Sequence, residues 1–246
     1  MTNIYIYDQE LSGRRYQKLL ERLETRLTDL GIGGKIYRLA PMTRLESALK
    51  DELAKKPKTI VAVGGDALIS RLAGLIAGTR IPLGIIPIGS SMIADGFGIT
   101  TENACKTLAA RRIVSLDIGR VDGQHFFVCR AVITANNPSL ILDGELTVEA
   151  EGKALIEAVN ITGDEYGYLG AQPLADDGRL NAYILKTEKS LLRKDISQSA
   201  FICKQLEIVK GAIKVELDGA SEIKGARSIE VVPGLLTVIV GKDRKF

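Results

Sequence analysis

The chain has 246 residues, a formal net charge of +3, and a composition that is 46% hydrophobic and 26% charged. That is enough apolar material for one large domain or two modest ones without disulfide support. The small positive surplus argues against a nucleic-acid binder, no apolar run approaches the roughly 18 residues of a membrane span, and the start MTNIYIYDQE lacks a signal peptide's layout.

Residues 3–7 (NIYIY) form a short β-rich run. Tyr16, Leu19, Leu20, Leu23, Leu27 and Leu30 then recur every three or four residues and lay one apolar stripe along a helix, which Gly31 stops. Residues 35–39 read as a second strand. Thr43 with Glu46 makes a capping box for a helix through Lys55, which Pro57 ends. Residues 59–63 (TIVAV) are a strand apolar on both faces, as in parallel sheets. Gly64-Gly65-Asp66 follows, then a helix carrying Leu68, Leu72, Leu75 and Ile76, a fourth strand over 81–88 and a helix over 101–112. This alternation predicts an open α/β sheet with right-handed crossovers.

Beyond residue 115 the texture changes. Asp-Gly pairs at Asp122, Asp143, Asp177 and Asp218 punctuate short β-rich pieces, among them 126–128, 131–134, 155–161, 180–185, 201–209, 213–217, 228–232 and 235–240. Asp-Gly suits the left-handed positions of tight hairpins, so an antiparallel β domain is expected, interrupted by a helical or irregular stretch near 188–196. The expected division is 1–115 (α/β, nucleotide-binding-like) and 116–246 (antiparallel β), with the carboxyl-terminal end returning to the first domain. Three cysteines, Cys105, Cys129 and Cys203, lie too far apart for a disulfide framework or a metal knuckle, so a cytoplasmic location with buried thiols is the default. Exposed edge strands in the second domain would support a homodimer.

Two segments carry candidate chemistry. Gly64-Gly65-Asp66 ends a strand and opens a helix, where backbone N–H groups can approach a phosphate and an acid can meet a ribose or Mg²⁺. A plain strand-to-helix turn has the same appearance. The next strand ends in Pro87-Ile88-Gly89-Ser90-Ser91, a tight turn with two hydroxyls. Open α/β sheets bind ligands at the carboxyl ends of their strands, which is where both segments fall.

These residues resemble the diacylglycerol kinase catalytic-domain family, which includes bacterial lipid kinases and shares its fold with NAD kinases. The family's GGDGT resembles Gly64-Gly65-Asp66-Ala67-Leu68, and its PLGxxPxGTxN resembles the run from Pro82 to Met92. Leu116-Asp117-Ile118-Gly119, Pro173 through Leu180, Asp218-Gly219-Ala220 and residues 229–240 resemble later family elements in the same order. The resemblance implies transfer of the ATP γ-phosphate to a lipid or small-molecule hydroxyl with Mg²⁺. Gly64, Gly65, Asp66, Gly89, Ser90 and Ser91 would hold the nucleotide, Asp66 also serving in catalysis, and Asp177 would hold a metal. The family's general base is the Glu of DGE. Ala220 stands there, and Glu222 is the nearest replacement. Ala67, Leu68, Ser70-Arg71 and Met92 are further departures, Leu68 placing bulk beside the expected phosphates. The alternative is therefore a catalytically inactive pseudokinase acting as a regulatory or protein-interaction module.

Overall fold

The computed structural model describes residues 2–40, 45–161, 172–189 and 194–246. The chain divides into two compact units, residues 1–116 with 235–245, and residues 117–234.

The first unit is built on a parallel sheet. Strands β1 (Asn3–Tyr7), β2 (Gly34–Arg38), β3 (Thr59–Gly64) and β4 (Leu83–Pro87) lie in the order β2–β1–β3–β4, all parallel. β3 and β4 are buried along their whole length, which explains their unbroken apolar sequences. Helix α1 (Gln17–Asp29) buries Leu20, Leu23 and Leu27, the middle of the sequence stripe, after two short 3₁₀ turns at Gln9–Ser12 and Arg14–Tyr16. α2 spans Leu45–Ala54; Thr43 of the expected capping box lies outside the described residues. α3 (Asp66–Ile76) buries Leu68, Ile69, Leu72, Ala73 and Ile76. A five-residue helix α4 (Met92–Gly96), which sequence periodicity did not show, follows β4, and α5 (Ala104–Ala110) is shorter than the predicted 101–112.

The second unit is antiparallel. Its strands are β5 (Ile113–Val121, beginning in the first unit), β6 (His125–Phe127), β7 (Arg130–Leu142), β8 (Leu146–Glu149), β9 (Lys153–Val159), β10 (Leu180–Lys189), β11 (Lys194–Cys203), β12 (Gln205–Leu217), β13 (Ser221–Lys224) and β14 (Ser228–Ile239). The main order is β11–β10–β9–β7–β12–β14. Alternate residues of these strands, such as Ile133, Ile156, Ala182 and Val215, form its core together with Phe127.

The structure corrects three expectations. Of the stretch expected to be helical or irregular near 188–196, residues 188–189 and 194–196 are strand, because β10 and β11 pair up to Lys189↔Lys194; residues 190–193 lie outside the described residues. The single strand expected over 201–209 is two strands, because the Asp143 carboxylate captures the N–H groups of Lys204 (2.7 Å) and Gln205 (2.9 Å) and turns the chain. The pair expected over 228–240 is one strand, β14, which carries Pro233-Gly234 in its middle; residues 235–239 belong to the first unit.

Candidate functional site

In the first unit the sheet order is β2–β1–β3–β4, so the crossover leaving β1 runs one way along the sheet and the crossover leaving β3 runs the other. Such a switch point opens a crevice at the carboxyl ends of the two central strands. Here those ends are Tyr7-Asp8 and Val63-Gly64, joined by a 3.0 Å hydrogen bond from Asp8 N–H to the Val63 carbonyl. A Cβ on Gly64 would lie 2.8 Å from the Asp8 Cβ, so this close approach demands glycine. Gly65 is the residue before α3; it supplies no capping side chain, and nothing lies within 4 Å of where its Cβ would be. The helix start therefore presents backbone N–H groups and the positive end of its dipole. Gly89, with φ of +91°, turns the chain after β4 with open space above it, and Ile88 N–H donates to the Gly64 carbonyl at 3.1 Å, tying the two turns together.

Asp66 joins the same assembly. Its Oδ1 accepts from the Ser91 hydroxyl and, at 3.4 Å, from Ile93 N–H, while Oδ2 accepts from Met92 N–H at 2.9 Å. Ser91 Oγ in turn accepts from Ala94 N–H at 3.0 Å and caps α4. Gly64, Gly65, Asp66, Gly89, Ser90 and Ser91 are thus brought to one place. Both carboxylate oxygens of Asp66 are engaged in holding the α4 turn. Leu68, expected to crowd the phosphates, is 2% exposed and faces the core of the unit.

At the carboxyl ends of β1 and β2 lies a pocket of about 420 Å³ whose lining includes Tyr7, Asp8, Gly13, Arg14, Gln17, Glu24 and Arg38. Arg38 pairs with Glu24 at 2.7 Å and sits 5.2 Å from the Tyr7 ring centroid. Burial, and then the Glu24 carboxylate, push the Tyr7 hydroxyl well above its ordinary value. Sequence reasoning missed Tyr7, Gln17, Glu24 and Arg38. The available signal was the placement of Tyr7 and Arg38 at the carboxyl ends of adjacent strands.

The remaining predicted residues lie in the second unit. Asp177 stands in the turn before β10, where its Oδ1 accepts from Arg179 N–H at 2.9 Å. Asp117, 3% exposed, accepts from Gly178 N–H at 2.6 Å and Gly234 N–H at 2.8 Å. Burial, and then the charges of Asp117 and Asp176, raise the Asp177 carboxyl above its usual value. Among the described residues no three metal-ligating side chains of the His, Cys, Asp and Glu type converge. Glu222 is an exposed residue of β13, opposite Glu216 and paired with Lys214 at 3.0 Å. Asp218 is buried, and its carboxylate accepts from the N–H groups of Val128, Cys129 and Arg130 at 2.8–3.0 Å. Glu222 is held in a surface ion pair, and Asp218 closes the backbone bend between β6 and β7.

With this geometry in view, the comparisons with known proteins are specific. Residues 4–121 match the model of the diacylglycerol kinase catalytic domain. That segment belongs to the diacylglycerol kinase catalytic-domain family. "Probable lipid kinase YegS-like" proteins of Yersinia pestis (strain Pestoides F) and Yersinia pseudotuberculosis (serotype O:1b, strain IP 31758) are each 36% identical over 77 residues, which is 28% of this chain and 26% of the relative. The alignment therefore spans about a quarter of those curated relatives. A crystal structure of a diacylglycerol kinase from Bacillus anthracis str. Sterne superposes with a TM-score of 0.73 at 19% identity, over 99% of this chain and 98% of that one. The lipid-kinase fold, an α/β domain plus an antiparallel β domain, thus extends over nearly the whole chain. No helix among the described residues is long and apolar enough to cross a membrane.

Proposed function

We propose that the chain binds ATP at the switch point of the first unit, and that it transfers phosphate to a lipid hydroxyl poorly or not at all. The observation that supports binding is the uncapped start of α3 beside the Gly89 turn and the adjoining pocket. Phosphates would meet the backbone N–H groups at Gly65 and α3, and Arg14 would add charge from the pocket wall.

The weak transfer follows from the acids. The position that the family resemblance assigns to the general base holds Ala220, and Asp218 and Glu222 are engaged as described. A positioned base is worth about 10²–10⁴-fold in rate. Calorimetry with ATP and Mg²⁺, alongside a radiolabel transfer assay on diacylglycerol vesicles, tests both halves. The expected result is saturable ATP binding with transfer near background, rising at least about tenfold in Ala220→Glu. Absence of binding at millimolar ATP overturns the first half; brisk wild-type transfer that Ala220→Glu does not improve overturns the second. Glu222→Gln should leave ATP affinity and transfer unchanged and shift stability by less than about 1 kcal/mol, since its partner is an exposed surface lysine.

Asp177 fits a cation better than Asp66 does. Its second carboxylate oxygen has no hydrogen-bond donor among the described residues, and the charges of Asp117 and Asp176 press on it against a single opposing cation, Arg179. Mg²⁺ held there would add opposing charge. A carboxyl raised above its unfolded value costs stability once ionised, and the cost disappears as pH falls until both states are protonated. Asp177→Asn should therefore raise the melting temperature at neutral pH and lose that gain below the carboxylate range. Mg²⁺ should raise the melting temperature of the wild type and leave Asp177→Asn unmoved, as scanning calorimetry would show.

A further inference from the structure

The opposite, amino-terminal edge of the same parallel sheet carries a second pocket of about 520 Å³, lined in part by Lys56, Lys58, Arg80, Arg111 and Ile113. Its lining contains four cations and no acidic residue. Helices α2, α3 and α5 end nearby, and the simplest role for basic residues at helix ends is to satisfy the last carbonyls. The contacts do not support that role. The side chains of Lys56, Lys58 and Arg80 make no hydrogen bond or ion pair among the described residues. Arg111 does bond, but to Thr59 Oγ1 at 2.7 Å and to the loop carbonyl of Lys58 at 3.0 Å, both neutral acceptors outside the helices. Three helix ends contribute roughly half a negative charge each, which four cations exceed.

Lys56, Arg80 and Arg111 all have positive φ, at 49°, 60° and 51°. Arg111 is the left-handed cap that ends α5, where its backbone N–H, not its side chain, closes the helix by donating to the Thr107 carbonyl at 3.1 Å. Arg111 is fixed by its two bonds while the other three cations stand exposed around it, and Ile113, 43% exposed, adds an apolar border. We propose that this pocket binds a phosphomonoester dianion and is distinct from the nucleotide site at the other edge of the sheet. A phosphate fits better than a carboxylate because its charge and several acceptor oxygens can engage cations from separate loops.

The phosphomonoester can come from a soluble metabolite or from a lipid headgroup, and two arms separate them. One titrates glycerol 3-phosphate by calorimetry. The other measures co-sedimentation with phosphatidylcholine vesicles with and without phosphatidic acid. Both are repeated on the double variant Lys58→Glu/Arg80→Glu, whose exposed positions should leave the melting temperature near wild type. The expected result is saturable, salt-sensitive binding in at least one arm, weakened at least about tenfold by the double variant. Binding to glycerol 3-phosphate assigns a soluble ligand, and binding confined to phosphatidic acid vesicles assigns a headgroup. Binding in neither arm, or equal binding by the folded double variant, overturns the proposal.

Discussion

Gly119→Ala will destabilise the protein by at least about 3 kcal/mol, and its melting temperature will fall by about 6–12 °C. Gly119 in β5 faces Phe127 directly across the β5–β6 pair. The Cζ end of the Phe127 ring covers the glycine, and a Cβ there would fall 1.9 Å from Cζ and 2.2–2.3 Å from the two Cε atoms. The ring is fully buried in the core of the second unit, so it has nowhere to swing. Aromatic cover of a strand glycine of this kind fixes register, and filling the gap forces either the ring or the strand to move. Shrinking the ring should relieve the clash, so Gly119→Ala/Phe127→Leu should be more stable than the sum of its single variants implies. Thermal unfolding of the four proteins of the cycle measures this. A Gly119→Ala protein melting within about 1 °C of wild type would contradict the packing described.

Asp66→Ala should have the largest effect on binding. It removes the acceptor for the Ser91 hydroxyl and for two N–H groups at the start of α4, stranding donors in a half-buried turn. Hydrogen bonds to a charged acceptor are worth about 1.5–3 kcal/mol each; discounted for partial exposure, the set should cost about 2–3 kcal/mol of stability by urea denaturation. ATP affinity should drop at least about tenfold, because the Ser91 turn that follows Gly89 loses its acceptor. Asp66→Asn separates positioning from metal ligation. It keeps the size and most of the accepting capacity, so a positioning Asp66 predicts intermediate affinity with or without Mg²⁺. A ligating Asp66 predicts a loss seen only when Mg²⁺ is present, and that outcome would sink the positioning role.

Much of the first unit is legible in the amino-acid sequence. The leucine spacing of α1, the doubly apolar β3 and the two glycine turns report local periodicity and strand burial, which sequence encodes directly. The meeting of Asp66 with Ser91 is not legible as a bond, because it depends on β3 and β4 being neighbours although the two residues lie 25 positions apart. The pocket wall was missed for a related reason. Arg38 and Glu24 are ordinary surface charges in sequence, and only the packing of α1 beside β2 pairs them. In the second unit the Asp-Gly pairs marked turns well, but strand continuity failed where one side chain decided it. Asp143 splits what looks like one strand, and Asp117 accommodates Pro233-Gly234 inside what looks like two. Glu222 drew attention by proximity in sequence to Ala220, and strand pairing sets it opposite Glu216 and beside Lys214.

The hydrogen bond from Gly234 N–H to Asp117 has a consequence for how the polypeptide is made. Residues 117 and 234 are the two ends of the second unit, and this 2.8 Å bond pins them side by side. The second unit is therefore an insertion in the chain of the first with its two ends held together, and a genetic excision joining Leu116 to Leu235 through a few glycines should leave the first unit's own chain able to close. During synthesis, the partner of β4 at that edge, with Val238 opposite Leu83, emerges only after the whole insertion. Until then β4, apolar along its whole length, is a bare strand edge on the nascent chain, and the interval from residue 87 to residue 238 is its window for capture by a chaperone or by another copy.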